Sequence, residues 1–257
     1  MLGLGSNLSK VGLSTPGIVT DNLVLKHKYD AGAVVPVSDG AVYFAGNTED
    51  DYIDCGSISL GTAGFSYGGW FWINSTQGDQ FASLISQADY DSDHTEGTIL
   101  RFNNNALQFI NGDNTNGADD TIQDADFLTT TGYTNTWIHI YCTMSSGTTA
   151  SLTAKFYING ALEASSTSVN FEPVSSNFSI GKNISTLNAS ASAFSGYASN
   201  VSLYSSELTQ PQIKSIMWKN HAGLSTSDKT NLVSWWNLST LIGPGVDWHG
   251  SNHGLLS

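Results

Sequence analysis

Acidic residues at alternate positions of one loop form the first pattern that could do chemistry. Residues 89–96 read Asp-Tyr-Asp-Ser-Asp-His-Thr-Glu and lie between two predicted strands. Calcium needs about six to eight oxygen ligands, and acids in a tight turn supply several of them. The stretch lacks the glycine and the final glutamate of an EF-hand loop. Two interpretations remain, a solvated acidic hairpin tip or a calcium site with the ligands Asp89, Asp91, Asp93 and Glu96.

A second acidic cluster, residues 49–51 with Asp54, is the best place to look for catalytic carboxylates. Glycoside hydrolysis needs two carboxyl groups held roughly 5–10 Å apart across the scissile bond. Adjacent residues on a strand point to opposite faces, and this cluster falls in a turn. The chain has no H-E-x-x-H motif. We therefore expect a non-catalytic protein, not an enzyme.

The charge balance is strongly acidic, with nine Lys and Arg against 22 Asp and Glu and a formal net charge of −13. Affinity for nucleic acid and for anionic membranes depends on basic residues, so neither is an expected partner. Metal cations suit this balance, but solubility in crowded assemblies is the simpler explanation of it.

Two cysteines are too few for a disulfide framework. Cys55 alternates with Ile53, and Cys142 alternates with Ile138 and Ile140, so both side chains are expected in the core. The pattern predicts buried free thiols.

From Ala41 onward the sequence reads as short β-strands separated by turn residues. In the segment 136–144, Ile138, Ile140 and Cys142 alternate with Trp137, His139 and Tyr141, which indicates a central strand with two occupied faces. An Asn-Gly pair at 159–160 between two strand-like segments predicts a hairpin. Polar stretches, including 103–105 and 111–120, are predicted connectors.

One helix is predicted within residues 205–223. Thr209 and Gln212 have the spacing of a capping box, Pro211 suits the first turn, and Gly223 is a suitable C-terminal residue. The fold class is therefore an all-β, two-sheet antiparallel sandwich with one short helix.

The N-terminal segment 1–38 differs in composition from the rest. It alternates Gly, Ser and Thr with single apolar residues. We interpret it as an extended arm for anchoring or assembly, with a flexible tail as the alternative. Residues 39–257 then form the sandwich. We expect no signal peptide, since no positive region precedes an apolar run, and no transmembrane segment.

Six short motifs together resemble the laminin-G-like, concanavalin A-like lectin/glucanase family of jelly rolls. In order they are Phe44-Ala45-Gly46 with Asp51-Tyr52-Ile53, then 65–73, 137–143, Phe156-Tyr157-Ile158-Asn159-Gly160, Ile180-Gly181, and 194–213. The resemblance covers roughly residues 41–222. A further family segment that usually comes first is matched here at the C-terminus, by 232–236 and 247–254, where it would fill the same position in the sandwich.

The resemblance has consequences for the site. The paired carboxylates of the glucanases are not matched, because none of the five glutamates stands in an E-x-D-x-E-like motif. The family suggests a second calcium position, at Asp247. Glycan binding would use an aromatic platform beside acids or amides on loops, and the residues that qualify are Tyr90, Trp248 and His249.

These features lead to a hypothesis about function. A laminin-G-like module with an arm and without a secretion signal resembles virion surface proteins of tailed phages, made in host cytoplasm. We therefore expect a capsid decoration or fibre-like adhesin, a homo-oligomer with a trimer favoured. Its partners would be capsid or tail proteins of the same virion, bound through the arm, and cell-surface carbohydrate. A stand-alone calcium-dependent lectin is the alternative, and a glucanase- or lyase-like enzyme comes third.

Overall fold

The computed structural model describes residues 40–46, 51–77, 81–90, 95–113, 119–148, 150–184, 192–239, 243 and 245–256. These residues form two stacked β-sheets, which confirms the predicted all-β sandwich. The chain divides into two units, residues 1–34 and residues 35–257. The predicted N-terminal arm lies outside the described residues, so its anchoring role stays a prediction.

The first sheet has seven strands, in the order β1-β13-β3-β8-β9-β10, with β14 paired to β13. Its strands are β1 (Val42–Ala45), β3 (Phe65–Ile73), β8 (Trp137–Met144), β9 (Leu152–Ile158), β10 (Ala161–Val169), β13 (Ser195–Tyr204) and β14 (Leu232–Trp236). The β9–β10 hairpin turns at Asn159-Gly160, both with positive φ, as the sequence predicts.

The second sheet has eight strands, in the order β15-β2-β11-β4-β5-β6-β7, with the two-residue β12 paired in parallel to β4. Its strands are β2 (Ile53–Ser57), β4 (Ala82–Tyr90), β5 (Thr95–Asn103), β6 (Ala106–Gly112), β7 (Asp120–Asp124), β11 (Asn177–Ile180), β12 (Ser192–Ala193) and β15 (Leu255–Leu256). The predicted connector 111–120 is too long at both ends. Asn111 and Gly112 continue β6, and Asp120 opens β7, a polar strand in which only Ile122 is buried.

The core lies between the sheets and follows the two-residue period of the strands. In β3, Phe71 and Ile73 enter the core, so Trp70 and Trp72, which alternate with them, point to the other face of the sheet. Cys55 and Cys142 are free and buried in the same core, as predicted. Burial raises the pKa of both thiols well above the usual value.

The outer face of the first sheet is partly covered by helix α1 (Gln210–Ile216). The Thr209 N–H donates to Gln212 Oε1 at 2.8 Å, as in the predicted capping box. Ile213 and Ile216 pack against a second buried cluster that includes Tyr141 and Trp235. The predicted ending at Gly223 is wrong. The helix stops at Ile216, and His221–Gly223 form a separate 3-10 turn capped by the Asn220 side chain.

Candidate functional site

The acidic loop is only partly within the described residues, since Asp91 and Asp93 fall outside them. Asp89 and Glu96 face each other across the β4–β5 hairpin, so two of the predicted calcium ligands are brought together. The Ser176 hydroxyl donates to Asp89 Oδ1. Among the residues described, no group of three or more His, Cys, Asp and Glu is arranged to hold a metal ion. A calcium role for this loop stays a prediction.

Asp247 has a structural role that its sequence context did not predict. Its buried carboxylate accepts hydrogen bonds from the backbone N–H groups of Trp235, His249, Gly250 and Asn252, at 2.9–3.1 Å. Burial by itself would raise the pKa of Asp247, but these hydrogen bonds outweigh it and lower the pKa. The N–H groups direct the positive ends of their dipoles at both oxygens, which fixes the loop after β14. Calcium binding at Asp247 likewise stays a prediction.

The predicted glycan-binding residues lie on different sheets. Trp248 and His249 are exposed beside β14 of the first sheet, where the Trp248 N–H donates to the Trp235 carbonyl at 2.8 Å. The backbone of Tyr90 lies at the end of β4 in the second sheet. Trp248 and His249 therefore form one local group, while Tyr90 belongs to the acidic hairpin.

The second acidic cluster is likewise used for structure. Asp51 Oδ2 accepts from the Ala45 N–H at 2.7 Å. Asp54 accepts from the Gly56 N–H and from Asn177 Nδ2 at 2.9 and 3.1 Å. Residues 49 and 50 lie outside the described residues.

Four aromatic side chains lie at paired positions on the outer face of the first sheet, away from the predicted acidic and glycan-binding residues. Tyr43 on β1 is paired with Tyr197 on β13, Tyr197 with Trp72 on β3, and Trp72 with Trp137 on β8. Their strand neighbours, such as Phe44, Phe71, Ala198 and Ile138, enter the core, so the four rings point outward. We call these four residues the aromatic row.

The ring contacts of the aromatic row run in the order Tyr43, Tyr197, Trp137 and Trp72, which differs from the strand order in its last two residues. Centroids are 4.8 Å apart for Tyr43 and Tyr197, 6.4 Å for Tyr197 and Trp137, and 6.2 Å for Trp137 and Trp72. Tyr43 is 50% exposed, and the other three are partly exposed. The row is therefore a continuous aromatic surface reachable from solvent.

Polar groups lie along one side of the aromatic row, two residues from it in sequence, at the ends of the same strands or just beyond them. Asn74 follows Trp72, Ser195 precedes Tyr197, and Asn135 precedes Trp137. Asn74 Nδ2 donates to Ser195 Oγ at 2.8 Å, and the Gln77 side chain bonds to Asn74 and Ser195 backbone atoms. The Asn135 N–H donates to the Ile73 carbonyl at 2.7 Å, which holds exposed Asn135 beside this group. We call Asn74, Gln77, Asn135 and Ser195 the polar flank.

The other side of the aromatic row is closed by the chain that follows α1. Trp70 Nε1 donates to the Met217 carbonyl at 2.7 Å, and the exposed Trp218 ring lies 5.2 Å from the Trp70 ring. His139 is buried beside Trp70, and its desolvation lowers its pKa to about 3, so it is neutral at physiological pH. This part of the face is thus covered, and the row lies at its open border.

The chemistry that this surface supports is binding, not bond cleavage. Aromatic faces stack on the apolar C–H faces of sugar rings, and side-chain amides exchange hydrogen bonds with hydroxyl groups. The row and its polar flank contain no carboxylate, whereas glycoside hydrolysis canonically needs two.

Comparison with known proteins identifies the family. The laminin G model of the concanavalin A-like lectin/glucanases superfamily matches residues 46–214. The chain belongs to this superfamily, as the six motifs predicted. Among curated proteins, none matches the sequence.

Solved structures share the fold at low sequence identity. One is a protein from Bacteroides ovatus described as a "putative carbohydrate binding protein", with 19% identity and a TM-score of 0.53, aligned over 79% of this chain and 53% of that one. Another is the heptameric SAP-like pentraxin of Limulus polyphemus, with 12% identity and a TM-score of 0.50, aligned over 72% of this chain and 84% of that one. The chain thus spans about half the length of the Bacteroides protein.

Sequence reasoning missed the aromatic row, although part of its signal was visible. The alternation in β8 places Trp137 outward, and that in β3 does the same for Trp72. What brings them together with Tyr43 and Tyr197 is the pairing of four strands that are far apart in sequence. No local pattern specifies that register.

Proposed function

We propose that this chain is a non-catalytic carbohydrate-binding module that holds its glycan on the aromatic row. The observation that carries the proposal is the alignment of four partly exposed aromatic rings across adjacent strands, with the amide-bearing polar flank beside them. The superfamily and the description of the Bacteroides structure favour the same function.

Substitution of the two tryptophans tests the proposal. The full chain is screened against soluble neutral and acidic polysaccharides, and the ligands found are titrated by calorimetry. Each lost ring removes roughly 1 kcal/mol of contact, so Trp72→Ala with Trp137→Ala should weaken binding about thirtyfold. Trp248→Ala is the matched control, because Trp248 is an exposed tryptophan of the rival site. Loss of binding in the control but not in the double variant would reject the aromatic row.

A chelator separates the proposal from the calcium-dependent lectin. Binding on the aromatic row needs no metal ligand, so EDTA should leave the affinity unchanged. If EDTA abolishes binding and calcium restores it, the acidic loop at residues 89–96 becomes the better site.

We also propose that this module is displayed on a virion surface, attached through residues 1–38. This rests on the composition of that segment and on the analogy to phage surface proteins. A chain lacking residues 1–38 should no longer sediment with the particles that carry it, but should keep its glycan affinity. Undiminished attachment would reject the arm as the anchor.

Tyr43 and Tyr197 lie on the paired strands β1 and β13 of the first sheet. The glycan would therefore contact side chains whose backbone is part of the sheet itself. Carbohydrate recognition by a sheet face of this kind requires no rearrangement of the backbone, because strand pairing already fixes the backbone positions of all four residues.

A further inference from the structure

We infer that the ligand is a single, neutral glycan chain that crosses the strands and contacts at least three consecutive sugar units. This inference rests on the proposed function and specifies its ligand. Three features of the aromatic row carry it: its direction, the tilt of its rings, and the absence of charge around it.

The direction of the row sets the path of the bound glycan. Its four residues lie on the adjacent strands β1, β13, β3 and β8, so the row runs perpendicular to the strands. Neighbouring strands are about 4.8 Å apart, which is about the length of one hexopyranose unit in an extended glycan, so the row spans about 14 Å. The backbone positions of the row therefore follow one another at about the length of one sugar, and the rings are in contact in the order Tyr43, Tyr197, Trp137 and Trp72.

The tilt of the rings selects a single chain over a crystalline surface. Interplanar angles are 49° between Tyr43 and Tyr197, 53° between Tyr197 and Trp137, and 74° between Trp137 and Trp72. A flat polysaccharide crystal cannot lie against rings that face such different directions. A free chain can, because rotation about each glycosidic bond turns successive sugars.

The charge distribution selects a neutral ligand. Every residue of the aromatic row and the polar flank is uncharged at neutral pH, and the whole chain carries a net charge of −13. Two of the described lysines are already paired with carboxylates, Lys219 with Asp228 at 2.7 Å and Lys155 with Glu207 at 2.6 Å. An acidic glycan would be repelled by the protein and would find no matched cation in the row.

A length series tests the inference on the full chain. Oligomers from disaccharide to hexasaccharide, taken from neutral gluco-, manno-, xylo- and N-acetylglucosamine series, are titrated by calorimetry. Affinity should rise with each unit to the tetrasaccharide and then level off. Tyr43 is at one end of the row, so Tyr43→Ala should weaken tetrasaccharide binding about fivefold, the equivalent of one ring contact, and leave trisaccharide binding nearly unchanged. Trp248→Ala should change neither.

Solid and charged polysaccharides complete the test. The protein should bind amorphous cellulose, soluble glucan oligomers or soluble chitin oligomers better than crystalline cellulose or chitin. It should also bind neutral polysaccharides better than polygalacturonate. Equal affinity for disaccharide and hexasaccharide, a preference for crystals or a preference for polygalacturonate would each overturn the inference.

These outcomes separate the inference from the function on which it rests. If binding is independent of length but lost in Trp72→Ala with Trp137→Ala, the module binds sugar on the row, and the crossing chain is wrong. If none of the oligosaccharides and polysaccharides named above binds, both the inference and the proposed function are wrong. If the wild type is a dimer and the double variant is a monomer, the row is a contact surface between two copies of this chain. Glycan binding that appears only after removal of residues 1–38 would assign it to the arm. Either result overturns the inference.

Discussion

His139 makes the stability of the sandwich sensitive to mild acid. Its imidazole is 3% exposed, stacks on Tyr141 at 5.5 Å and has a pKa lowered to about 3 by desolvation. In the unfolded chain a histidine titrates near 6.5. Between these two values the unfolded state binds the extra proton, so stability falls as the pH is lowered below 6.5.

The size of the effect follows from the two pKa values. Between pH 7.5 and pH 5, protonation of this single residue in the unfolded state costs about 2 kcal/mol of folding free energy. Asp228 and Asp247 have lowered pKa values, so their stabilisation is complete above the ordinary value of 3.8 and is lost only below it. They do not contribute in this pH window. His221 also has a lowered pKa, so the wild type should lose somewhat more than His139 alone explains.

Urea unfolding of the wild type and of His139→Phe at the two pH values isolates the contribution. Phenylalanine keeps the ring between Trp70 and Tyr141, and no described group forms a hydrogen bond with His139 Nδ1 that it would break. The variant should lose about 2 kcal/mol less than the wild type between pH 7.5 and 5. An unchanged pH dependence in His139→Phe would refute the assignment.

Three further predictions concern the scaffold. Asp247→Asn should destabilise the fold by roughly 2–3 kcal/mol, because an amide replaces a carboxylate that accepts four backbone hydrogen bonds. Urea unfolding of this variant, compared with that of Asp54→Asn, checks the prediction. Gly68→Ala should lower the free energy of unfolding by at least about 2 kcal/mol, because the new methyl group would lie 2.6 Å from the Tyr141 ring and closer still to the Ile140 carbonyl. In the control Gly61→Ala the nearest atom to the new methyl group is 4.0 Å away, so its free energy of unfolding should be unchanged. Cys55 and Cys142 should not react with Ellman's reagent in the native protein, and both should react in urea; rapid native labelling would contradict their burial.

Much of the fold is predictable because its signals are local. Alternation in β3 and β8, the Asn-Gly turn at 159–160 and the capping box at Thr209 each depend on residues close in sequence, and the structure bears them out. The strand β7 was missed because its only buried residue is Ile122, within a polar stretch.

The candidate site depends on pairing between distant segments, which local patterns do not specify. Tyr43 and Tyr197 are separated by more than half the chain, yet they are direct cross-strand partners. Asp247 shows the same limitation. The family resemblance suggests a metal ligand at this position, whereas its hydrogen-bond partners, the backbone N–H groups around β14, become visible only in three dimensions.

Tryptophan indole NMR tests the central claim most directly. The protein is labelled with ¹⁵N at tryptophan, indole signals are assigned by single substitutions, and the neutral oligosaccharides are added. The aromatic row predicts saturable shifts of the Trp72 and Trp137 signals, while the signals of buried Trp235 and Trp236 and of exposed Trp248 stay in place. Shifts confined to Trp248, or no shift with any neutral oligosaccharide, would contradict the account.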